Sequence, residues 1–330
     1  MKWGKEAAAV VTKRINRPPI SLAFEKVYYP WLLLGKKRYA GLYWTKPTTW
    51  DKIDCKGIET VRRDSCALVG NVMNECLRKI LIDRDVEGAK NIVKKTVSDL
   101  LQDKIDLSLL VISKGLTKPS EDYANPQAHA ELAKKMKKRD EATAPVLGDR
   151  VKYVVIKASK GTKSSQKAED PLHVLKHNLP LDFDYYLENQ LKKPISRIFE
   201  PIMDDTKTLF KGEHTVHRIE RIPESGGAMG FAVIVPTCLS CKVKLKKGQK
   251  NVCDNCKEKE PDIYRDLLDQ FNEVEKNNAR YWSQCQTCQG SLHQQVICSE
   301  DDCPIFYRRM KSKKDVTELS KKLERFDLSW

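Results

Sequence analysis

Eight cysteines crowd into residues 238–303 as four close pairs, a grouping suited to binding metal through thiolates. The first set is Cys238-x2-Cys241-x11-Cys253-x2-Cys256. Two such knuckles let four thiolates converge on one tetrahedral ion, and zinc suits that donor set without any redox role. The second set is Cys285-x2-Cys288-x9-Cys298-x4-Cys303, with Pro304 directly after it. Its four thiolates serve zinc or a cubane iron–sulfur cluster equally well, and spacing does not separate the two. Disulfides are the alternative for both sets. The first residues, Met1 to Lys5, lack the apolar stretch of a secretory signal, so metal is expected instead. Cys55, Cys66 and Cys76 stand apart and read as small core residues.

A second candidate chemistry is electrostatic. The chain of 330 residues carries a net charge of +15, which favours a polyanionic partner, nucleic acid before an anionic membrane surface. Residues 1–60 hold 12 Lys/Arg against 5 Asp/Glu. Within them Lys36-Lys37-Arg38-Tyr39 falls between two apolar arms, where the side chains of a hairpin tip can reach a sugar–phosphate backbone; a merely solvated tip is the alternative. Arg62-Arg63 opens the helical region and is weak evidence when taken alone, since acids are favoured at helix starts.

No active site is legible. Phosphoryl transfer by two metals requires carboxylates converging on ions about 3.5–4 Å apart. The nearest pairs are Asp182-x-Asp184, in a helix-start context that predicts an N-cap, and Asp204-Asp205 in a linker. His173, His177, His214, His217 and His293 have no partner at catalytic or ligand spacing, and no GxGxxG or P-loop occurs.

The elements that must position these groups form an α+β chain. Residues 5–15 predict a short amphipathic helix stopped by Pro18-Pro19. Ile20 to Tyr29 alternates as a strand does, and Trp31 to Trp44 predicts a hairpin. Apolar stripes over Leu68–Leu81 and Ile92–Leu101 predict two helices, with further helices at Pro126–Arg139 and Phe183–Leu191. Arg150–Ile156 reads as a strand, Ser159–Asp170 as a polar loop, and residues 204–230 as a linker zone. A helix over Asp262–Trp282 separates the two cysteine sets, and a charged helix through Val316, Leu319, Leu323 and Phe326 ends the chain. No apolar run approaches the roughly 20 residues of a membrane helix, so no membrane partner is expected.

The segments Phe24-Glu25-Lys26-Val27-Tyr28-Tyr29-Pro30, Lys36-Lys37-Arg38-Tyr39-Ala40-Gly41, Asp54 through Asp64, Gly148-Asp149-Arg150-Val151, Tyr185 through Leu191, and above all Cys285 through Tyr307 stand out together. In combination they resemble the C-terminal part of the catalytic subunits of eukaryotic DNA polymerase delta, a family B replicative group. The resemblance implies a palm tail at 1–58, a mainly helical thumb at 59–215, a linker at 216–231, and a C-terminal domain with both cysteine sets at 232–330. It implies that Lys36, Lys37, Arg38 and Tyr39 track the minor groove of primer–template DNA, and that Arg62 and Arg63 contact its backbone. It assigns zinc and sliding-clamp engagement to the first cysteine set. It tips the second set towards a 4Fe–4S cluster, with zinc still compatible, and towards docking of the accessory B subunit.

The same resemblance implies a nuclear DNA-directed DNA polymerase that uses Mg2+. The motifs that carry its metal-binding aspartates, of the types DFxSLYP and YGDTDS, are not among these residues. A fragment, catalytically inactive by itself, is therefore expected, with the Mg2+ ligands outside this chain. The stretch Gly230 to Pro236 is apolar where the family is usually more basic, which puts that local DNA contact in doubt. A stand-alone, non-enzymatic, zinc-dependent nucleic-acid or subunit-binding protein is the rival reading.

Overall fold

The computed structural model describes residues 1–60, 64–119, 121–159, 161–215, 237–241, 243–246, 248–300 and 302–326. The chain divides into two units. The first comprises Met1–Ile105, Leu109–Pro171 and Pro180–Ile219; the second comprises Asp106–Ser108, Leu172–Leu179 and Glu220–Trp330.

In the first unit, helix α1 (Lys2–Ile15) buries only Ala8. A three-stranded antiparallel sheet follows, in the order β1 (Val27–Gly35), β2 (Arg38–Trp44) and β3 (Lys52–Lys56). The strand expected from Ile20 begins only at Val27. Thr12 Oγ1 accepts a hydrogen bond from the Leu22 N–H at 2.9 Å, so this segment is tied to α1 and lies outside the sheet. One sheet face turns Ala40 and Leu42 into the core. Pleating therefore commits the alternate residues, Tyr39, Gly41 and Tyr43, to the opposite face.

Helix α2 (Ala67–Arg78) buries Leu68, Val69, Val72, Met73, Cys76 and Leu77, the stripe that the 3.6-residue period requires. Each of the larger side chains contributes about 1.5–3 kcal/mol through removal from water. The helix widens into a π turn at Lys79–Asp83, and Arg84 in the left-handed region reverses the chain. Asp85 then caps α3 (Val86–Leu101) by accepting from the Gly88 N–H at 2.7 Å.

Strand β4 (Ile112–Gly115) pairs antiparallel with β5 (Arg150–Val155), which pairs with the short β6 (Ala168–Glu169). Ser159–Asp170 is thus not wholly loop; it carries a 3-10 turn at Ser164–Lys167 and that edge strand. Helix α4 (Ala128–Arg139) clamps the edge: Arg139 meets Glu169 with two hydrogen bonds at 2.7 and 2.9 Å. The helix expected at Phe183–Leu191 is present, partly as a π-helix, and runs on into α6 (Lys192–Phe199).

The second unit contains α5 (Pro171–His177, largely) and two long helices, α7 (Glu260–Gln289) and α8 (Phe306–Leu323). Helix α7 extends seven residues past the expected end at Trp282, so Cys285 and Cys288 are helical and share one face. It stops at Gly290, whose φ of +76° supplies the left-handed cap. No helix among the described residues is long and apolar enough to cross a membrane.

Candidate metal centres and nucleic-acid interface

The first cysteine set closes into a compact site. The Cys238 N–H donates to the Val243 carbonyl at 2.8 Å, and the Leu239 N–H donates to the Asn251 carbonyl at 3.0 Å. These bonds fold the two knuckles onto one another. All four sulfurs lie within 4.8 Å of one another, and the Cys241 and Cys253 sulfurs are 3.4 Å apart. A tetrahedral zinc with Zn–S bonds of about 2.3 Å needs comparable spacing. Leu245, Val252 and Ile263 pack beneath Cys238, and Arg325 ties the end of the chain to this module through the carbonyls of Thr237 and Lys250.

The electrostatics fit a cation. Burial pushes the Cys238 thiol up, but N–H groups of Cys253, Cys241 and Ser240 outweigh it and bring the group down to about 6. Cys253 moves the other way, to about 12, through its side-chain contact with Cys241. Four thiols this close cannot all ionise unaided, and a divalent ion replaces their shared protons.

The second set gathers differently. Cys285 and Cys288 come from the end of α7, while Cys298 and Cys303 lie in the segment before α8. Burial raises the Cys285 thiol, Arg309 opposes that, and Cys303, Cys298 and Cys288 raise it further. No three of its sulfurs come within the spacing of the first set. The 25 residues of α7 that precede Cys285 lie between the sets, spanning about 37 Å at a rise of ~1.5 Å per residue, so the two sets are separate.

On the first unit, β1 and β2 present the hairpin tip. Lys36, Lys37 and Arg38 are exposed, and Tyr39 is half-buried. None of the three cations has an ion-pair partner among the described residues. Lys37 is held at φ +62°, and Gly57, at φ +66°, packs directly on its carbonyl. A side chain at position 57 would overlap that oxygen.

Behind the tip the outer sheet face is aromatic and basic. Tyr39 meets Tyr28 and Trp31 edge-on at 5.6 and 6.0 Å. The Tyr28 hydroxyl donates to Asp54 at 2.5 Å; burial, then that bond, raises the phenol, while the bond holds Asp54 below the usual carboxylate range. Lys26 stands over the rings of Tyr28 and Tyr43, and Lys52 over Tyr43. Sequence reasoning missed Lys26 and Lys52 as members of this face; their alternation with Tyr28 and Asp54 was the available signal.

Arg62 and Arg63 lie outside the described residues, as do His217 and the apolar stretch from Gly230 to Pro236. Just upstream, Glu59 pairs with Arg197 at 2.6 Å, anchoring the exit of the sheet to α6. Two of the carboxylates weighed as metal ligands have structural roles. Asp182 caps its helix by accepting from the Tyr185 N–H at 3.0 Å and pairs with Lys167 at 2.8 Å. Asp205 accepts from the Lys207 N–H at 2.9 Å. His173 and His177 do meet, with ring centroids 4.2 Å apart, but no third ligand joins them among the described residues.

A cationic hairpin joined to helices through a continuous core, with a four-cysteine site later in the chain, defines an α+β protein with a cysteine-rich metal module. The profile described as DNA polymerase family B matches residues 1–202, and the chain belongs to that family. A second, C4-type zinc-finger of DNA polymerase delta, matches residues 238–309 and with the four-cysteine cluster supports zinc. The relatives are more particular. DNA polymerase delta catalytic subunits of Oryza sativa (53% identical over 99% of this chain), Schizosaccharomyces pombe (52% over 100%) and Drosophila melanogaster (52% over 100%) are similar to it. The chain spans about 30% of the length of each. A solved family B DNA polymerase from Pyrobaculum calidifontis is 28% identical over 60% of this chain and 25% of that one, at a TM-score of 0.47.

Proposed function

We propose that this chain is the duplex-gripping and docking part of a nuclear replicative DNA-directed DNA polymerase, a delta catalytic subunit. The observation that carries the reading is the tip Lys36-Lys37-Arg38. Its three exposed cations lack ion-pair partners among the described residues and stand beside the aromatic face of Tyr28, Tyr39 and Tyr43. Such a tip can follow phosphates while Tyr39 approaches the groove of primer–template DNA. Arg62 and Arg63 extend that contact, with residues 1–58 acting as palm tail and 59–215 as thumb.

Zinc at Cys238, Cys241, Cys253 and Cys256 stabilises the module that engages the sliding clamp. Cys285, Cys288, Cys298 and Cys303 hold a 4Fe–4S cluster and dock the accessory B subunit. Four thiolates with no histidine, and a proline directly after the last, support a cluster. The Mg2+ ions that nucleotidyl transfer uses have no ligand set among the described residues, so no chemical step is assigned to this chain.

The test is titration of the purified chain with a fluorescent primer–template duplex, alongside primer extension. Salt-sensitive duplex binding without extension is expected. Absence of duplex binding refutes the grip, and unaided extension refutes the inactivity. The stand-alone binding reading is separated by the genomic DNA upstream of Met1: a frame encoding YGDTDS supports the polymerase, and a promoter there supports the rival.

A further inference from the structure

Arg309, in the first turn of α8, is a buried cation whose hydrogen bonding is incomplete. The residue is 6% exposed. Its Nη2 donates to the carbonyl of Cys298 at 2.8 Å, and the guanidinium lies 5.7 Å from the centre of the Phe306 ring. Its Nη1 is buried with no hydrogen-bond partner, and among the described residues no carboxylate pairs with it. The neighbouring Arg308 also has a nitrogen without a hydrogen bond, Nε, but it is more exposed and its charge is paired, with Nε 3.0 Å from Asp106.

A guanidinium withdrawn from water demands an anion, and a planar fork with one free arm has a defined direction in which to find it. The hydrogen bond to the Cys298 carbonyl seats Arg309 against a residue of the second set, and the Cys285 thiol lies within electrostatic reach both of Arg309 and of Cys288, Cys298 and Cys303. As free thiols these four are neutral. As ligands they are thiolates, and four of them around either Zn2+ or a 4Fe–4S core of charge 2+ leave a net charge of about −2. The loaded centre is therefore the anion that the orphaned arm lacks.

We propose that Arg309 is the charge partner of the metal centre held by Cys285, Cys288, Cys298 and Cys303: its Nη1 donates to sulfur of the loaded centre, while its Nη2 fixes the backbone of one ligand. This rests on the reading of the second set as a metal centre. Arg309 is a positioning residue that also sets the local charge. It favours the more negative redox state of a cluster, and it slows loss of metal.

The experiment uses the full chain loaded anaerobically with iron and sulfide, in wild-type form and as Arg309→Gln, Arg309→Lys and Arg308→Gln. Iron and sulfide content, visible absorbance and the midpoint potential are measured. Arg309→Gln is expected to lower the reduced-to-oxidised ratio at fixed ambient potential at least tenfold, about 59 mV for a one-electron couple. Arg309→Lys recovers most of that shift, and Arg308→Gln leaves the potential unchanged. A fully loaded Arg309→Gln with wild-type potential overturns the proposal. If Arg309→Gln fails to load, retention of the cluster by Arg309→Lys supports it and loss in both overturns it. If the wild type takes up zinc and no iron, the cluster reading alone fails. Release of zinc to a chelator then decides: at least tenfold faster release from Arg309→Gln, slowed again in Arg309→Lys, supports the charge partner, and equal rates overturn it.

Discussion

Replacing Lys36, Lys37 and Arg38 together by Ala removes three exposed charges from the hairpin tip and leaves the sheet face intact. None of the three engages an internal acid among the described residues, so each is available in full to a phosphate. On B-DNA each such contact contributes about −0.9 to the slope of log K against log salt, so the triple variant should lose about 2.7 of that slope. Between about 50 and 200 mM salt, that difference means wild type loses roughly 40-fold more affinity than the variant. Stability should change by less than about 0.5 kcal/mol, because surface side chains without partners contribute little. Fluorescence anisotropy across a salt series reads the slope, and thermal melting controls for folding. An unchanged slope in a folded variant would refute the phosphate assignment and leave the tip as a solvated turn.

Gly57→Ala should disturb the same tip from beneath. The left-handed φ of +66° costs an L-residue about 1–2 kcal/mol, and the added methyl overlaps the Lys37 carbonyl, so both stability and duplex affinity should fall. Wild-type binding in that variant would show that the turn geometry is irrelevant. Cys253→Ser should reduce zinc content by one ion per chain and expose the first knuckle to protease while the larger core melts as before, since the two clusters are separate. Structural zinc supplies about 10–16 kcal/mol of apparent binding free energy, and chelator treatment of wild type should reproduce the effect. His129 is buried against Tyr123, and burial, then Lys114, lowers its pKa. Its contribution to stability is complete above the unfolded value of about 6.5 and is lost as pH falls towards the folded value. Urea unfolding of wild type and His129→Asn at pH 7.5 and 5.5 checks this: the variant should lose less stability on acidification, and an equal loss would exclude His129.

The legible parts of this protein share a physical basis. The helical stripes from Leu68 and Ile92 are local consequences of a 3.6-residue period, and helices α2 and α3 follow them. The N-cap at Asp182 is equally local, because the carboxylate meets an N–H three residues on. Cysteine spacing alone was enough to place the first metal site, since each knuckle is built within a few residues. The segments that misled were those whose neighbours lie elsewhere in the chain. Ile20–Tyr29 alternates like a strand, yet its backbone is engaged by Thr12 before it reaches the sheet. Ala168–Glu169 has no strand signature and becomes one by pairing with β5.

Residue type and spacing by themselves determined the two four-thiolate sets, the cationic hairpin tip and the carboxylates committed to capping. Tertiary structure alone decided what surrounds them. A register shift between Tyr28 and Trp31 places Tyr28 on the face with Tyr39 and Tyr43. Helix α7 runs through Cys288 and holds the second cysteine set at the end away from the first. Folding also buries Arg309 beside the second set with one arm unpaired. Each of these depends on which distant residues come into contact, and a local pattern carries no information about the environment that distant chain segments create.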